Sequence, residues 1–321
     1  MGERSDTTGH VDFSGRADAA PFPERWIHGV RPGAKRARLE AEPPLQVHRH
    51  DEHTYVLRQS KTLTYEGPFL YLLLGNERAL LLDTGDFVDP LRMPLRTTVD
   101  RLLGEWLAHH PRDTYPLVVA HTHGHGDHVG GDGQFADRPD TTVVGRDVDA
   151  VRAHFGFTDW PRQTVAYDLG GRVLEVTGSP GHEAAAITIR DPWTGFLLTG
   201  DSVYPGRLYV EDAPAFTQTL EALVEIAETR WVSAVMGCHV EMTRTPGVDY
   251  PIGTTWQPDE APLPMTVEQL WAVRDAAREV EARPGAHVRD DVIIFNGPCR
   301  GAMVRQRLRR RAADVASRFG A

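Results

Sequence analysis

Residues 121–131 read His-Thr-His-Gly-His-Gly-Asp-His-Val-Gly-Gly. Within residues 123–128, four of the six residues have side chains with the chemistry of metal ligands, namely His123, His125, Asp127 and His128. Imidazole and carboxylate groups together suit zinc, iron or manganese better than calcium or magnesium. A histidine-rich surface loop that binds metal without catalysis is the alternative. The regular alternation, with a carboxylate in register, favours a built metal centre instead.

The spacing of these four residues indicates two binding positions rather than one. His123 and His125 are two residues apart, so both rings point to the same side of an extended segment. The glycine that follows lets the chain turn, so that Asp127 and His128 can face a second ion beside the first. Residues 117–120 read Leu-Val-Val-Ala and predict a buried strand. The stretch therefore follows the end of a core strand, where catalytic groups are common.

The pattern His-x-His-x-Asp-His resembles the signature of the metallo-β-lactamase-fold superfamily. That resemblance implies three further elements in chain order: a histidine after a Pro-Gly turn, an aspartate in a Gly-Asp step, and a late histidine. His182, Asp201 and His239 occur in these contexts and in this order. The implied fold is an α/β, four-layer αββα sandwich, in which two mixed β-sheets are flanked by helices.

The resemblance implies a site for two divalent metal ions, with zinc expected and iron or manganese as alternatives. Its implied ligands are, for the first ion, His123, His125 and His182, for the second ion, Asp127, His128 and His239, and, bridging both, Asp201. Such a site activates a shared water molecule for attack on an acyl carbonyl. Asp127 is also expected to accept or relay a proton. Asp83 in Leu-Leu-Asp-Thr-Gly is expected to orient the metal loop without binding metal.

The aspartate at position 201 narrows the resemblance to hydrolases such as glyoxalase II and the acyl-homoserine lactonases, because β-lactamases proper generally lack it. Tyr204 lies three residues later, as in the lactonases, where such a hydroxyl can hydrogen-bond the substrate; packing is the alternative role. The Glu-Ala-Ala-Ala that follows His182 departs from the common pattern, and no match to basic glutathione-binding positions is evident. We therefore expect a hydrolase of an ester, lactone or thioester, acting on a small-molecule acyl substrate.

Two other functions share this fold and its ligands. An iron-dependent oxidoreductase resembling the sulfur dioxygenases is the main alternative, and metal analysis would separate it from a hydrolase. A nuclease is disfavoured by the formal net charge of -10, which argues against a nucleic-acid partner.

Composition describes an ordinary globular protein, with 321 residues, 40% hydrophobic and 25% charged. Its two cysteines, Cys238 and Cys299, do not make a disulfide framework. Residues 1–15 lack the apolar core of a secretory signal. No apolar run approaches the roughly 18 residues of a membrane span. We expect a cytoplasmic protein with no membrane partner.

The chain divides into an irregular arm, residues 1–44, and a metallo-β-lactamase-like domain, residues 45–321. The arm is expected to pack on the domain or to cross to a partner chain, which would make a homodimer. Residues 240–264 are rich in proline and glycine and are interpreted as a lid-like loop. Tyr250 and Trp256 are its candidates for lining a substrate pocket, with plain surface packing as the alternative. Residues 265–321 are expected to form C-terminal helices and a last strand.

Hydrophobic periodicity predicts the remaining elements. The predicted strands are 54–59, 69–74, 79–82, 117–120, 141–145, 172–178, 185–190, 196–199, 232–236 and 292–295, and the predicted helices are 94–109, 147–155, 214–229, 266–283 and one that includes 305–311. His48, His50 and His53 are interpreted as a cluster on a strand edge, because they lack a complete ligand set. The arginines of 305–311 predict a solvated face or a subunit contact.

Overall fold

A first six-stranded sheet carries the metal stretch at the end of one of its strands. The structure, a computed structural model, describes residues 9–31 and 42–318. The strands of this sheet are β1 (Leu45–Asp51), β2 (Thr54–Gln59), β3 (Phe69–Leu74), β4 (Ala79–Leu82), β5 (Leu117–Ala120) and β6 (Thr141–Val143), in that spatial order. The first four are antiparallel, whereas β4, β5 and β6 run parallel. The sheet is therefore mixed, as predicted.

The second six-stranded sheet is also mixed. The later strands are β7 (Thr164–Asp168), β8 (Val173–Gly178), β9 (Ile187–Asp191), β10 (Phe196–Gly200), β11 (Arg207–Val210), β12 (Ala234–Gly237), β13 (Pro264–Met265), β14 (Gly285–Val288) and β15 (Ile293–Asn296). The second sheet has the order β13-β12-β10-β9-β8-β7, with only the β10–β12 pair parallel. The strands β11, β15 and β14 form a separate three-stranded sheet.

Helices cover the outer faces of both large sheets. They are α1 (Leu95–His109), α2 (Gly126–Val129), α3 (Val148–Phe155), α4 (Ala213–Thr229), α5 (Val267–Val280) and α6 (Arg300–Arg318), with a 3₁₀ turn at Asp132–Gln134. Polar caps begin three of them. Asp147 and Asp212 accept backbone N–H groups at the starts of α3 and α4, and Thr266 forms a capping box with Gln269 at α5.

Successive side chains of one strand point to opposite faces of its sheet and so pack into different hydrophobic cores. Phe69, Tyr71 and Leu73 of β3 point into the core between the two large sheets, and the three leucines between and after them point to the core under α1. In the same way, β10 directs Leu198 to the inner core and Leu197 to the core under α4 and α5. Both strands are buried on two faces, which explains their continuous apolar sequences. The predicted αββα sandwich is confirmed.

Strand and helix limits differ from the predictions where the pattern is weak. Five strands were not predicted, namely β1, β7, β11, β13 and β14, and each has part of its residues exposed or is short. The helix predicted to continue to Arg283 ends at Val280. Pro284 follows Arg283, and the residue before a proline is sterically disfavoured in the helical region.

The described part of the N-terminal arm packs on the domain. Phe13 contacts the rings of His53 and Trp193 edge-on, and Trp26 contacts Phe69 in the inner core. Residues 1–8 and 32–41 of the arm lie outside the described residues, so the expected crossing to a partner chain stays a prediction. None of the described helices combines the length and apolarity that a membrane-spanning segment needs.

Candidate metal centre

The predicted ligands lie where strands of the two facing sheets end. The metal stretch follows β5 of the first sheet, and His128 lies in the short helix α2. From the second sheet, Asp201 directly follows β10, His239 comes shortly after β12, and His182 follows β8. Packing the two sheets face to face therefore brings together side chains that are far apart in sequence.

A glycine turn gives His182 its place. Gly181 has a φ of +128°, which side-chain-bearing residues rarely adopt, and a Cβ there would lie 2.4 Å from the Cα of Phe216. The carbonyl of Gly181 accepts the N–H groups of Glu211 and Asp212 at 2.8 and 3.0 Å. The turn is thus fastened to the start of α4, and no larger residue fits.

Three imidazole nitrogens converge in the first group. Nε2 of His123 lies 3.0 Å from Nδ1 of His125 and 3.2 Å from Nε2 of His182, and the last two atoms are 3.0 Å apart. Tetrahedral zinc with bonds of about 2.0 Å would separate its ligand atoms by about 3.3 Å. The three rings thus have nearly the spacing that one such ion requires.

The second group contains two imidazoles and two carboxylates. Nε2 of His239 lies 3.4 Å from Nε2 of His128, 3.3 Å from Oδ2 of Asp127 and 3.5 Å from Oδ1 of Asp201. His128 Nε2 lies 3.6 Å from each of the same two carboxylate oxygens. Four ligand atoms therefore face one small volume.

Asp201 lies between the two groups. Its Oδ1 faces His128 and His239, and its Oδ2 lies 3.8 Å from Nε2 of His182 in the first group. Oδ1 is buried and accepts no hydrogen bond, which is costly for a carboxylate oxygen unless a cation lies nearby. This orphaned oxygen and the convergence of the imidazole nitrogens fit a pair of bound divalent ions.

The pKa values describe a site with excess negative charge. Burial lowers the pKa of His239, but the carboxylates of Asp201 and Asp127 outweigh burial and raise it to about 9. His128 behaves in the same way, with its pKa held well above the usual range by Asp83 and Asp201 against burial. Burial raises the pKa of Asp201, but His239 and His128 overcome it and hold it well below the usual range. The site favours cations, and metal ions would replace protons there.

Asp83 is hydrogen-bonded to the metal loop, and its predicted role of orienting that loop stays a prediction. Its carboxylate accepts the backbone N–H of Thr122 at 2.7 Å and the hydroxyl of the same residue at 2.9 Å. Nδ1 of His128 donates to it at 2.9 Å, so that Nε2 of this ring faces the site. The thiol of Cys238 donates to it at 3.2 Å. Asp83 adopts a φ of +67°, an uncommon conformation that these four contacts hold in place.

Two other ligand histidines are oriented by backbone carbonyls. Nδ1 of His182 donates to the carbonyl of Tyr209 on β11 at 2.7 Å. Nδ1 of His239 donates to the carbonyl of Glu66 at 3.3 Å. Each bond leaves Nε2 as the free nitrogen that faces the ligand group.

Sequence reasoning missed Lys61, which supports the loop that orients His239. Its side chain is 1% exposed, and its ammonium donates to the carbonyls of Tyr65 and Glu66 at 3.0 and 3.1 Å. The carbonyl of Glu66 therefore accepts from both Lys61 and His239. The signal available in the sequence was weak, namely that Lys61 is one of two lysines in the chain.

A cavity of about 270 Å³ opens at the ligand cluster. Besides five of the ligands it is lined by Tyr65, Glu66, Tyr204, Arg207, Tyr209, Glu241, Ile252 and Met303. Neither Tyr250 nor Trp256, the two predicted lid aromatics, lies on this lining, and Ile252 is the residue of the lid-like loop that does. The hydroxyl of Tyr250 instead accepts the N–H of Asp259, and Trp256 pairs with Gly29 of the arm. These contacts favour the packing alternative, and the lid role of the two aromatics stays a prediction.

Tyr204 lines the cavity, but its hydroxyl is engaged elsewhere. The residue is 2% exposed, its O–H donates to the carbonyl of Arg207, and its ring lies edge-on to that of His239. Burial and the charge of Glu241 raise the pKa of the phenol well above its usual range. This arrangement favours the packing role over a hydrogen bond to substrate, and the catalytic role of Tyr204 stays a prediction.

His48, His50 and His53, which the sequence suggested as a cluster on a strand edge, lie outside the two candidate ligand groups. His53 accepts the indole N–H of Trp106 at 2.9 Å, and His48 and His50 pack around Phe22. In the described part of the chain, none of these three belongs to a cluster that could hold a metal ion.

Known proteins are similar to this chain in sequence. The model of the metallo-beta-lactamase superfamily matches residues 64–231, a range that holds every predicted ligand except His239. The chain is 34% identical over 136 residues to a hydroxyacylglutathione hydrolase of Anaeromyxobacter dehalogenans (strain 2CP-C), covering 42% of this chain and 46% of the relative. It is 27% identical over 203 residues to the acyl-coenzyme A thioesterase MBLAC2 of Bos taurus, covering 53% and 72%.

The chain spans a little under half the length of the hydroxyacylglutathione hydrolases that it matches. Among solved structures, a metallo-beta-lactamase of Erythrobacter litoralis is 14% identical, with a TM-score of 0.49, covering 74% of this chain and 97% of that chain.

Proposed function

Because the chain belongs to the metallo-β-lactamase superfamily, we propose that it is a dinuclear metal-dependent hydrolase of an acyl ester, lactone or thioester. One observation carries the proposal: Asp201 lies between a group of three imidazoles and a second group that contains Asp127, with one carboxylate oxygen facing each. A bridging carboxylate of this kind suits two ions that share a substrate.

The residues that would hold the ions are the seven described above, with Asp201 common to both groups. Two bound divalent ions would supply a water molecule of lowered pKa and a polarised acyl carbonyl. Zinc is the expected metal because imidazole and carboxylate ligands suit it, and iron and manganese are the alternatives.

The chain itself supplies orientation and a proton acceptor. Asp83 and the carbonyls of Tyr209 and Glu66 fix the rings of three ligand histidines, so those rings need not reorganise during reaction. The carboxylate of Asp127 lies on the cavity lining and is more exposed than that of Asp201, at 22% against 8%. Burial raises the pKa of Asp127, but the hydrogen bond from His239 and the charges of His128 and His239 together outweigh burial, lower the pKa and keep this carboxyl ionised. Asp127 can therefore accept a proton from water in the cavity.

Among acyl substrates, a thioester has the most support. The relatives in the comparison are named as a hydroxyacylglutathione hydrolase and an acyl-coenzyme A thioesterase, both thioester-cleaving activities. Tyr204 was the one feature that favoured a lactone, and its hydroxyl is bound to a backbone carbonyl. We therefore place thioesters first and lactones second.

The test combines metal analysis with hydrolysis assays. Zinc-loaded protein should contain two ions per chain and hydrolyse at least one member of a panel of acyl thioesters, acyl esters and lactones. His123→Ala should lose at least one ion and lower kcat/KM by more than about 100-fold, because it removes one of three ligands. His287→Ala, on β14 and outside the ligand groups, is the matched control and should keep both properties.

Inactivity of fully loaded wild-type protein on the whole panel would overturn the proposal, as would an active His123→Ala variant with two ions. Protein purified without added metal distinguishes the oxidoreductase alternative. One iron per chain together with oxygen uptake would favour that reaction over hydrolysis.

A further inference from the structure

The wall of the cavity contains apolar side chains from parts of the chain that follow the ligands. Ile252 comes from the lid-like loop and Met303 from α6, and the rings of Tyr65 and Tyr209 also reach the lining. Gln306 of α6 joins the two elements, since the oxygen of its side-chain amide (Oε1) accepts the backbone N–H of Ile252 at 3.4 Å. Apolar walls with a few fixed polar groups are typical of small-molecule sites.

Apart from the candidate metal ligands, the described lining offers no unpaired lysine or arginine to an anionic substrate group. Among the described residues on the lining, Arg207 is the one guanidinium or ammonium group, and its side chain is 3% exposed. Its Nη1 donates to Asp249 and to the carbonyl of Tyr250, its Nη2 pairs with Glu241, and its Nε donates to the hydroxyl of Tyr209. All three of its nitrogens are therefore engaged by the protein.

The same lining carries an acidic side chain beside the ligands. Glu66 lies on it, and the backbone carbonyl of this residue accepts from His239. A carboxylate or phosphate on the part of a substrate that lies away from the ions would meet this group with no unpaired lysine or arginine beside it. The charge of the cavity wall thus favours a substrate whose bound acyl chain is uncharged.

The cavity is also small. Its 270 Å³ lies just below the range of about 300–1,000 Å³ that is usual for ligand pockets. Shape and charge together lead to one inference, which rests on the proposed hydrolase function. We propose that the cavity binds the acyl part of the substrate as a short, uncharged aliphatic chain, and that Ile252 and Met303 set the longest chain accepted.

The experiment measures kcat/KM on S-acyl-N-acetylcysteamine thioesters with straight acyl chains of two, four, six and eight carbons, and with succinyl. Wild-type protein should prefer two or four carbons and reject succinyl relative to butyryl. Met303→Ala removes three heavy atoms from the wall and should raise the eight-to-two-carbon ratio of kcat/KM by at least about 10-fold, since each pocket methylene changes discrimination by that order. Ile252→Phe narrows the cavity and should move the preference in the opposite direction.

Val304→Ala is the matched control, because Val304 is the next residue of α6, is 54% exposed and is not on the lining. Its chain-length profile should equal that of wild type. Primary amides of the same chain lengths are not turned over, so their affinities measure binding to the cavity alone. Measured by calorimetry on zinc-loaded protein, these affinities should follow the same order of chain lengths as kcat/KM.

The possible failures are distinguishable. Wild-type protein that binds short amides but hydrolyses no thioester, ester or lactone would overturn the proposed function and support the inference that the cavity binds a short aliphatic chain. Active protein whose chain-length profile is unchanged in both variants, or which prefers succinyl to butyryl, would overturn the inference and leave hydrolysis intact.

Discussion

At the scale of single residues, the site depends on groups that are not among the candidate metal ligands. Three ligand histidines keep their tautomer because Nδ1 donates to Asp83, to the carbonyl of Tyr209 or to the carbonyl of Glu66. Two of these partners are backbone groups, which residue type alone cannot identify. A list of the candidate ligands alone therefore omits the groups that hold their rings in place.

Lys61 gives a prediction at this scale. Lys61→Met should leave the carbonyls of Tyr65 and Glu66 without a buried donor and so lower the free energy of unfolding by about 1–3 kcal/mol. The carbonyl that orients His239 would then be free to move, and the affinity for one of the two zinc ions proposed above should fall by about 10-fold, with the three-histidine group unaffected. Competition titration with a chelator measures both affinities.

Arg162→Met serves as the control for that titration, since it also removes a cation but from a side chain that is 83% exposed. Two unchanged zinc affinities in Lys61→Met would show that the lysine supports the loop without affecting the site.

At the scale of elements, one aspartate joins the lid-like loop to the rest of the domain. Oδ2 of Asp249 accepts from Arg207 of β11 at 3.0 Å and from Gln306 of α6 at 2.7 Å. Its Oδ1 accepts from Arg309 of α6 at 2.5 Å. At the other end of the loop, Glu260 forms two hydrogen bonds with the fully buried Arg58. The loop predicted as a lid is thus fastened at both ends.

Asp249→Asn should destabilise the protein by about 1–3 kcal/mol, because it removes a buried anionic acceptor from Arg207 and Arg309 while Arg207 keeps its ion pair with Glu241. Asp259→Asn in the same loop changes a carboxylate that is 58% exposed and should stay within about 0.5 kcal/mol of wild type. Urea unfolding measures both. Equal stability of the two variants would mean that α6 and the loop are not joined through Asp249.

At the scale of the whole molecule, a buried ion pair links the two large sheets. Arg172, just before β8, donates to Asp191 of β9 and also to the carbonyls of His53 and Leu74 in or beside the first sheet. Its fifth contact is the hydroxyl of Thr54 on β2. The same guanidinium therefore holds both layers between which the ligands converge.

The pair predicts an acid-dependent stability. Burial raises the pKa of Asp191, but the charge of Arg172 together with hydrogen bonds from Arg172, Thr194 and Trp193 outweighs burial and leaves the pKa below its usual value. A carboxyl whose pKa is lower in the folded state stabilises the fold above its unfolded pKa of about 3.9 and loses that contribution as pH falls through the folded value. Asp191→Asn should cost about 3–5 kcal/mol at pH 7, and the difference from wild type should shrink below about pH 4.

Urea unfolding at pH 7, 5, 4 and 3 measures that difference. Asp149→Asn, at a side chain that is 93% exposed, is the control and should match wild type at each pH. A difference between Asp191→Asn and wild type that stays constant down to pH 3 would contradict the assigned direction of the pKa.

The sequence by itself was enough to predict the family, the αββα fold and which seven side chains would come together. The strands β3, β4 and β5 have the predicted limits, because they are buried on both faces and read as unbroken apolar runs. The ligands could be found because imidazoles and carboxylates in a fixed local order carry their own signal. Their roles in binding metal stay predictions.

The tertiary structure alone decided what surrounds the ligands. Lys61, Ile252 and Met303 have no local pattern that marks them, since their roles arise from contacts with residues distant in the chain. In the sequence, Tyr250 and Trp256 fit a lid role and a packing role equally well. In the structure their partners are Asp259 and Gly29. A periodic or clustered pattern reports local geometry, whereas the wall of a cavity is set by how separate elements dock, and that information is spread over the whole chain.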